Sequence, residues 1–314
     1  MTPRIGVTKT EEIFEDFDIM LKTKEKIVDF GGVMKVVVLG GSGMLGRAVL
    51  AECQAFGWEV AGYDLPFLDI TKMDGQEIED ADWVVNCAAY TQVDMAEEDP
   101  TKVFEVNGCG AGRVARMCRA RGIKLLHVST DYVFNGNIPS GAYDENDSTG
   151  PLNVYGQSKL LGELLVGREH PGALIVRTQS LFGDHGANFV KSILHQVESG
   201  KKVLKVVNDQ VTCPTYVVHL ARGMVKLMAL DANGVVHVSS ENECSWADFA
   251  FHILDETDNL FEIGLEDVKT GEFPVKAVRP KRSVLCKARY TILTDSEMPN
   301  WLDGLREYLD ATRT

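Results

Sequence analysis

From Lys35 onward, apolar residues fall in short unbroken runs separated by longer stretches with helical spacing. KVVVLG (35–40), WEVAGYD (58–64), DWVVNCAAY (82–90), IKLLHVS (123–129) and ALIVRT (173–178) read as strands; near-continuous apolar runs mark strands buried on both faces. Between them, MLGRAVLAECQAF (44–56), PTKVFEVNGCGAGRVARMCRARG (100–122) and NVYGQSKLLGELLVG (153–167) read as helices. Strand–helix alternation predicts an α/β architecture, a doubly wound parallel sheet. After Thr178 the rhythm loosens into helices at 188–200, 216–230, 245–257 and 300–312, with a short strand in GVVHVSS (234–240). SWAD (245–248) resembles a capping box with Asp in place of Glu. The expected organisation is a nucleotide-binding half over 34–178, rejoined by about 215–240, and a smaller C-terminal α/β lobe from 179–214 and 241–314. Residues 1–33 read as a separate helical extension, with Ile13, Phe17, Met20, Leu21 and Ile27 at helical spacing before Gly31-Gly32.

Charge narrows the functions open to such a chain. It has 46 acidic and 32 basic residues, a formal net charge of −14, which argues against nucleic acid or an anionic membrane as partner. No run approaches the roughly 20 apolar residues of a membrane span. The seven scattered cysteines lack C-x-x-C spacing and read as reduced thiols of a cytosolic protein. The seven histidines show no ligand spacing, so no metal is expected.

Between the first strand and the first helix lies GGSGMLG, with Gly40-x-x-Gly43-x-x-Gly46 and Gly41-x-Gly43-x-x-Gly46. Glycines there permit a tight turn and close approach of the backbone to a pyrophosphate resting on the helix N-terminus. Asp64 ends the second strand, where a carboxylate accepts from a ribose 2′-OH. No Arg or Lys stands between Asp64 and Lys72 to meet a 2′-phosphate. The expected cofactor is NADH or NADPH, NADH slightly favoured, with Asp69 and Ile70 flanking the adenine.

Tyr155 and Lys159, four apart, share one helix face. An ammonium beside a phenol lowers its pKa and makes it a proton donor and acceptor near neutrality. The fourth strand ends in Ser129-Thr130, where Thr130 or Ser129 would hold a substrate carbonyl oxygen. Arg279, Lys281 and Arg282 are candidates for a substrate diphosphate.

The stretches VVNCAAYTQVDMAEEDP, VNGCGAGRVA, HVSTDYVFNG, GPLNVYGQSKLLGE, VRTQSLFGDHGANFV, VVNDQVTCPT and RPKRSVL together resemble the dTDP-4-dehydrorhamnose reductase family of extended short-chain dehydrogenases/reductases. The resemblance spans roughly Met34 to Arg289 and implies a Rossmann-type fold. It implies reduction of the C4 keto group of a dTDP-linked 6-deoxy-4-keto-hexose, with Thr130, Tyr155 and Lys159 as catalytic trio. It further implies cofactor contacts from Gly43, Met44, Leu45, Asp69, Ile70, Ala89, Tyr90, Thr91 and Val128, with Asp131 and Tyr132 bordering the sugar. A homodimer is the assembly considered. Met44 stands where the family usually has Gln, and Ser180 where it usually has Trp, which opens the sugar side of the site. Two other readings follow from the same residues: a reductase or epimerase of another nucleotide sugar, and a non-catalytic subunit resembling the regulatory subunit of methionine adenosyltransferase.

Overall fold

The structure, a computed structural model, describes residues 33–73, 78–272 and 274–313. The helix expected within 1–33 therefore lies outside the described residues. Strands β1 (Lys35–Leu39), β2 (Glu59–Tyr63), β3 (Trp83–Asn86), β4 (Lys124–Thr130) and β5 (Leu174–Thr178) form where the apolar runs stand. Beyond them come β6 (Leu181–Phe182), β7 (Val203–Val207), β8 (Val211–Thr212), β9 (Thr215–Tyr216), β10 (Gly234–His237), β11 (Cys244–Ser245) and β12 (Gly264–Val268).

One six-stranded sheet has the order β10-β5-β4-β3-β1-β2, and every neighbouring pair is parallel. The fold is α/β and Rossmann-type. Chain order reverses at β1, which has β2 on one side and β3 on the other, so a crevice opens beyond the carboxyl ends of these strands. Alternate side chains serve opposite faces. Val36, Val38, Val85, Leu126 and Val176 pack under the Met44–Ala55 and Val217–Ala229 helices. Val37, Leu39, Val84, Leu125 and Ile175 pack under the Ala111–Arg121 helix. Each such side chain contributes about 1.5–3 kcal/mol by leaving water.

The remaining strands pair in twos: β6 with β9, β7 with β12 and β8 with β11. Ser245 and Asp248 form the expected capping box at the start of the Trp246–Glu256 helix. Two features differ from the sequence pattern. The run from Pro100 to Gly122 is helical but carries a π-helical turn at Glu105–Gly110, which turns Asn107 inward. Ala288–Thr294 is a helix despite its β-branched residues.

Gly46 marks the closest approach in the first turn. A Cβ there would lie 2.1 Å from the Gly40 carbonyl oxygen, a backbone atom that cannot step aside. Gly167, on the exposed face of the Val154–Glu169 helix, has no atom within 4 Å of the same position. Gly46→Ala should therefore cost about 1–3 kcal/mol in urea unfolding, while Gly167→Ala should be neutral or stabilise by up to about 1 kcal/mol.

Candidate active site

A cleft of about 610 Å³ opens at the carboxyl ends of β1, β3, β4 and β5. Its floor is the glycine turn. Gly40 adopts φ +77°, and a Cβ there would lie 2.7 Å from the Ala88 amide nitrogen. The Gly40 and Gly41 amides both donate to the Tyr63 carbonyl. The Met44–Ala55 helix then begins at Gly43 with no side-chain cap, leaving first-turn N–H groups aimed at the cleft for an anion. Gly43, Met44, Leu45 and Gly46 all line it.

Asp64 stands at the rim and accepts from the Ser42 amide at 3.2 Å and the Leu65 amide at 2.8 Å. The Ser42 hydroxyl also donates to it. Asp69 and Ile70 line the same end. Asp69 accepts from the Thr71 amide and hydroxyl, and these bonds hold its carboxyl below the usual carboxylate range. Ala89 and Thr91 also face the cleft. Tyr90 does not line it: Asn107 accepts from its amide at 2.7 Å and donates to its carbonyl at 3.0 Å, while its ring lies 6.0 Å from the Lys102 ammonium. Asn107 also donates to the Ser158 hydroxyl at 2.9 Å, so one buried amide ties this loop to the Val154–Glu169 helix. The signal for it in the sequence was an Asn directly before Gly108-x-Gly110 in a helical run.

That helix is capped by Asn153, which accepts from the Gly156 amide at 2.8 Å. It carries Tyr155 and Lys159 into the cleft. The Lys159 ammonium is buried and donates to the Val128 carbonyl at 2.6 Å. Burial pushes its pKa down to about 8, against the attraction of Glu163. Tyr155 meets the Thr130 hydroxyl through a hydrogen bond, yet burial dominates and pushes the phenol up to about 12, with nearby Asp131 adding to the rise. The expected lowering of the Tyr155 pKa by Lys159 is therefore corrected: taking the phenol out of water outweighs the Thr130 hydrogen bond, and Lys159 is not among the causes of the shift.

Thr130 and Asp131 are both buried, and the Thr130 hydroxyl donates to Asp131 at 3.1 Å. The Thr130 oxygen in turn accepts from the Tyr132 amide at 3.2 Å. Burial pushes the Asp131 carboxyl up to about 7 although Ser283 and Thr130 bond to it. Tyr132 meets Tyr155 edge to face, ring centroids 5.8 Å apart. Ser129 also lines the cleft, with its hydroxyl committed to Glu163 at 2.5 Å.

Ser180 lines the open side at φ +48° and bonds the Thr212 hydroxyl at 2.6 Å. The cleft is also lined by an indole the sequence reading did not single out, Trp246, which follows β11, the strand paired with β8 and its Thr212. Trp246 also lines a second cavity of about 630 Å³, with Phe189, Lys201, Lys205 and Arg279. Arg279 belongs to this second cavity rather than to the cleft, and Asp94 holds it through two donors at 3.1 and 2.6 Å. Lys281 and Arg282 line neither cavity, and Arg282 pairs with Glu243 at 2.5 Å.

The cleft suits a dinucleotide on three independent grounds: an uncapped helix start, glycines where no Cβ fits, and the buried Thr178 hydroxyl, which has no partner among the described residues. Among the described residues no group of three or more His, Cys, Asp or Glu is placed to hold a metal, and no helix is long and apolar enough to cross a membrane.

Residues 34–314 match the family model described as RmlD substrate binding domain. The chain is 35% identical over 286 residues to dTDP-4-dehydrorhamnose reductase of Sinorhizobium fredii, covering 87% of this chain and 96% of that protein. It is 36% identical over 282 residues to the spore coat polysaccharide biosynthesis protein SpsK of Bacillus subtilis, covering 88% and 96%. Among solved structures, dTDP-4-dehydrorhamnose reductase of Bacillus anthracis in complex with NADP superposes with a TM-score of 0.85 at 34% identity, over 89% of this chain and all of that one.

The raised pKa of Asp131 has a consequence for stability. Between the ordinary carboxyl value and about 7, the folded state binds a proton that the unfolded state releases, so this group's contribution falls as pH rises. Asp131→Asn removes that loss. Its unfolding free energy relative to wild type should grow from pH 4 to pH 7 and level off above, by about 4 kcal/mol. A difference independent of pH would show that Asp131 ionises normally.

Proposed function

This chain belongs to the RmlD substrate binding domain family, and from that premise we propose that it is an NAD(P)H-dependent oxidoreductase reducing the C4 keto group of dTDP-4-dehydrorhamnose to dTDP-L-rhamnose. The observation that carries the reading is the meeting of Thr130, Tyr155 and Lys159 in one cleft with a glycine cradle.

Gly40, Gly43, Met44, Leu45 and Gly46 would hold the pyrophosphate, Asp64 the adenosine ribose, and Asp69 with Ile70 the adenine. Ala89, Thr91 and Val128 would flank the rest of the cofactor. The reduced nicotinamide supplies the hydride when bound. Thr130 positions the C4 oxygen, and Tyr155 gives that oxygen its proton. A phenol held up at about 12 is protonated at every physiological pH, which is the state a reduction requires. Lys159 supplies the charge that stabilises the phenolate left behind.

The second cavity supports a nucleotide arm. Phe189 and Trp246 offer aromatic faces, and Lys201, Lys205 and Arg279 offer cations to a diphosphate. Asp131, Tyr132 and Ser180 would border the sugar, with Trp246 as an apolar wall. The Asp64 carboxylate supports NADH over NADPH, because it accepts from a free 2′-OH and repels a 2′-phosphate.

Tyr155→Phe removes only the proton donor. It should keep the fold and bind NADH or NADPH normally while kcat on dTDP-4-dehydrorhamnose falls about 10²- to 10⁴-fold. Retention of more than about a tenth of the activity would remove Tyr155 from its role. Asp64→Ala should weaken NADH more than NADPH, shifting the ratio of their KM values about tenfold, as loss of a charge-assisted hydrogen bond predicts. An unchanged ratio would leave Asp64 as a turn residue alone.

A further inference from the structure

Behind the cleft lies a buried pair of opposite charges that the chemistry above does not use. Arg177, on β5, grips Glu163 with Nε on Oε1 at 2.9 Å and Nη2 on Oε2 at 2.8 Å. Both side chains are 6% exposed. The Ser129 hydroxyl donates to the same Oε1 at 2.5 Å. The guanidinium also lies 5.1 Å over the Phe134 ring and reaches His237 Nε2 at 3.4 Å. Glu163 follows Lys159 by four residues on one helix and so shares its face. One carboxylate thus touches the residue beside Thr130 and neighbours the ammonium one turn before it.

Stability alone is a poor reason for this pair. Burying two ions costs about as much as their attraction returns, and apolar side chains of the same size often serve a core better. The surroundings of Lys159 suggest another reason. Facing it are His127 on β4, held neutral by burial and by Lys159 itself, and the Cys87 thiol, pushed up to about 12 by burial. Tyr155, on the same helix, is a neutral phenol. Glu163 is the anion among these groups, and Arg177 is the cation next beyond it.

We propose that Glu163 is a positioning residue, whose carboxylate serves as counter-ion to the Lys159 ammonium and holds Ser129-Thr130 against the Tyr155 helix, with Arg177 as the clamp that fixes that carboxylate in place and competes with Lys159 for its charge. The proposal rests on the role given to Lys159 above. It makes opposite predictions for the two partners. Removing the anion should make Lys159 easier to deprotonate; removing the clamp's charge should make it harder.

The test is a titration of Lys159 by NMR in protein labelled with ¹³C-lysine, the resonance being assigned by its absence from Lys159→Arg. It needs no turnover, so a chain that failed to reduce the sugar would leave this result standing. Glu163→Gln should lower the Lys159 titration midpoint by about one pH unit or more. Arg177→Gln should raise it, and Arg177→Lys, which keeps the charge, should leave it in place while lowering the thermal midpoint. Midpoints within about 0.3 unit of wild type in Glu163→Gln would overturn the proposal and leave the pair a structural tie. If Glu163→Gln does not fold, the Arg177→Gln measurement decides alone: a rise supports the proposal, and no change or a fall overturns it.

Discussion

The Val154–Glu169 helix lies closer to its neighbours than any side chain at two of its positions would allow. A Cβ on Gly156 would stand 2.3 Å from the Tyr132 carbonyl oxygen, and one on Gly162 would stand 2.3 Å from that of Asn107. Between these two contacts the helix presents Lys159, whose ammonium then reaches the Val128 carbonyl. The rest of the site depends on this approach. It brings the Tyr155 hydroxyl to Thr130, lets Asn107 reach Ser158, and sets Glu163 against Ser129 and Arg177.

Burial is the common electrical theme at that junction. It moves Tyr155 and Asp131 up and Lys159 down, in each case toward the neutral form. The chain as a whole is strongly acidic, and the Asp64 and Asp69 carboxylates line the cleft, but its buried carboxyl, Asp131, favours its proton. An anion at the glycine turn meets backbone N–H groups first.

Much of this was legible in the chain. Strands β1 to β5 announce themselves because parallel strands buried on both faces are unbroken apolar runs, and Gly40-Gly43-Gly46 stand where a strand must turn at once into a helix. Tyr155 and Lys159 were visible because four-residue spacing alone puts two side chains on one face. What escaped was long-range. Trp246 lies 66 residues beyond Ser180 in the chain, and only the packing of the lobe brings the two into one cleft. Tyr90 turns away because Asn107, in a π-helical turn that no simple periodicity encodes, takes its backbone. The rise in the Tyr155 pKa could not be read from an adjacent lysine, since exclusion of water depends on everything packed around the ring.

The placement of β10 bears on how the chain is assembled. Its neighbour β5 ends at Thr178, and β10 begins at Gly234, so the sheet gains its last strand only after the chain has passed through the first part of the lobe. The Val217–Ala229 helix, which covers one face of the sheet, arrives just before it. A nascent chain ending near residue 214 would carry a sheet with one face partly bare and the β5 edge open, a surface prone to pairing with other chains.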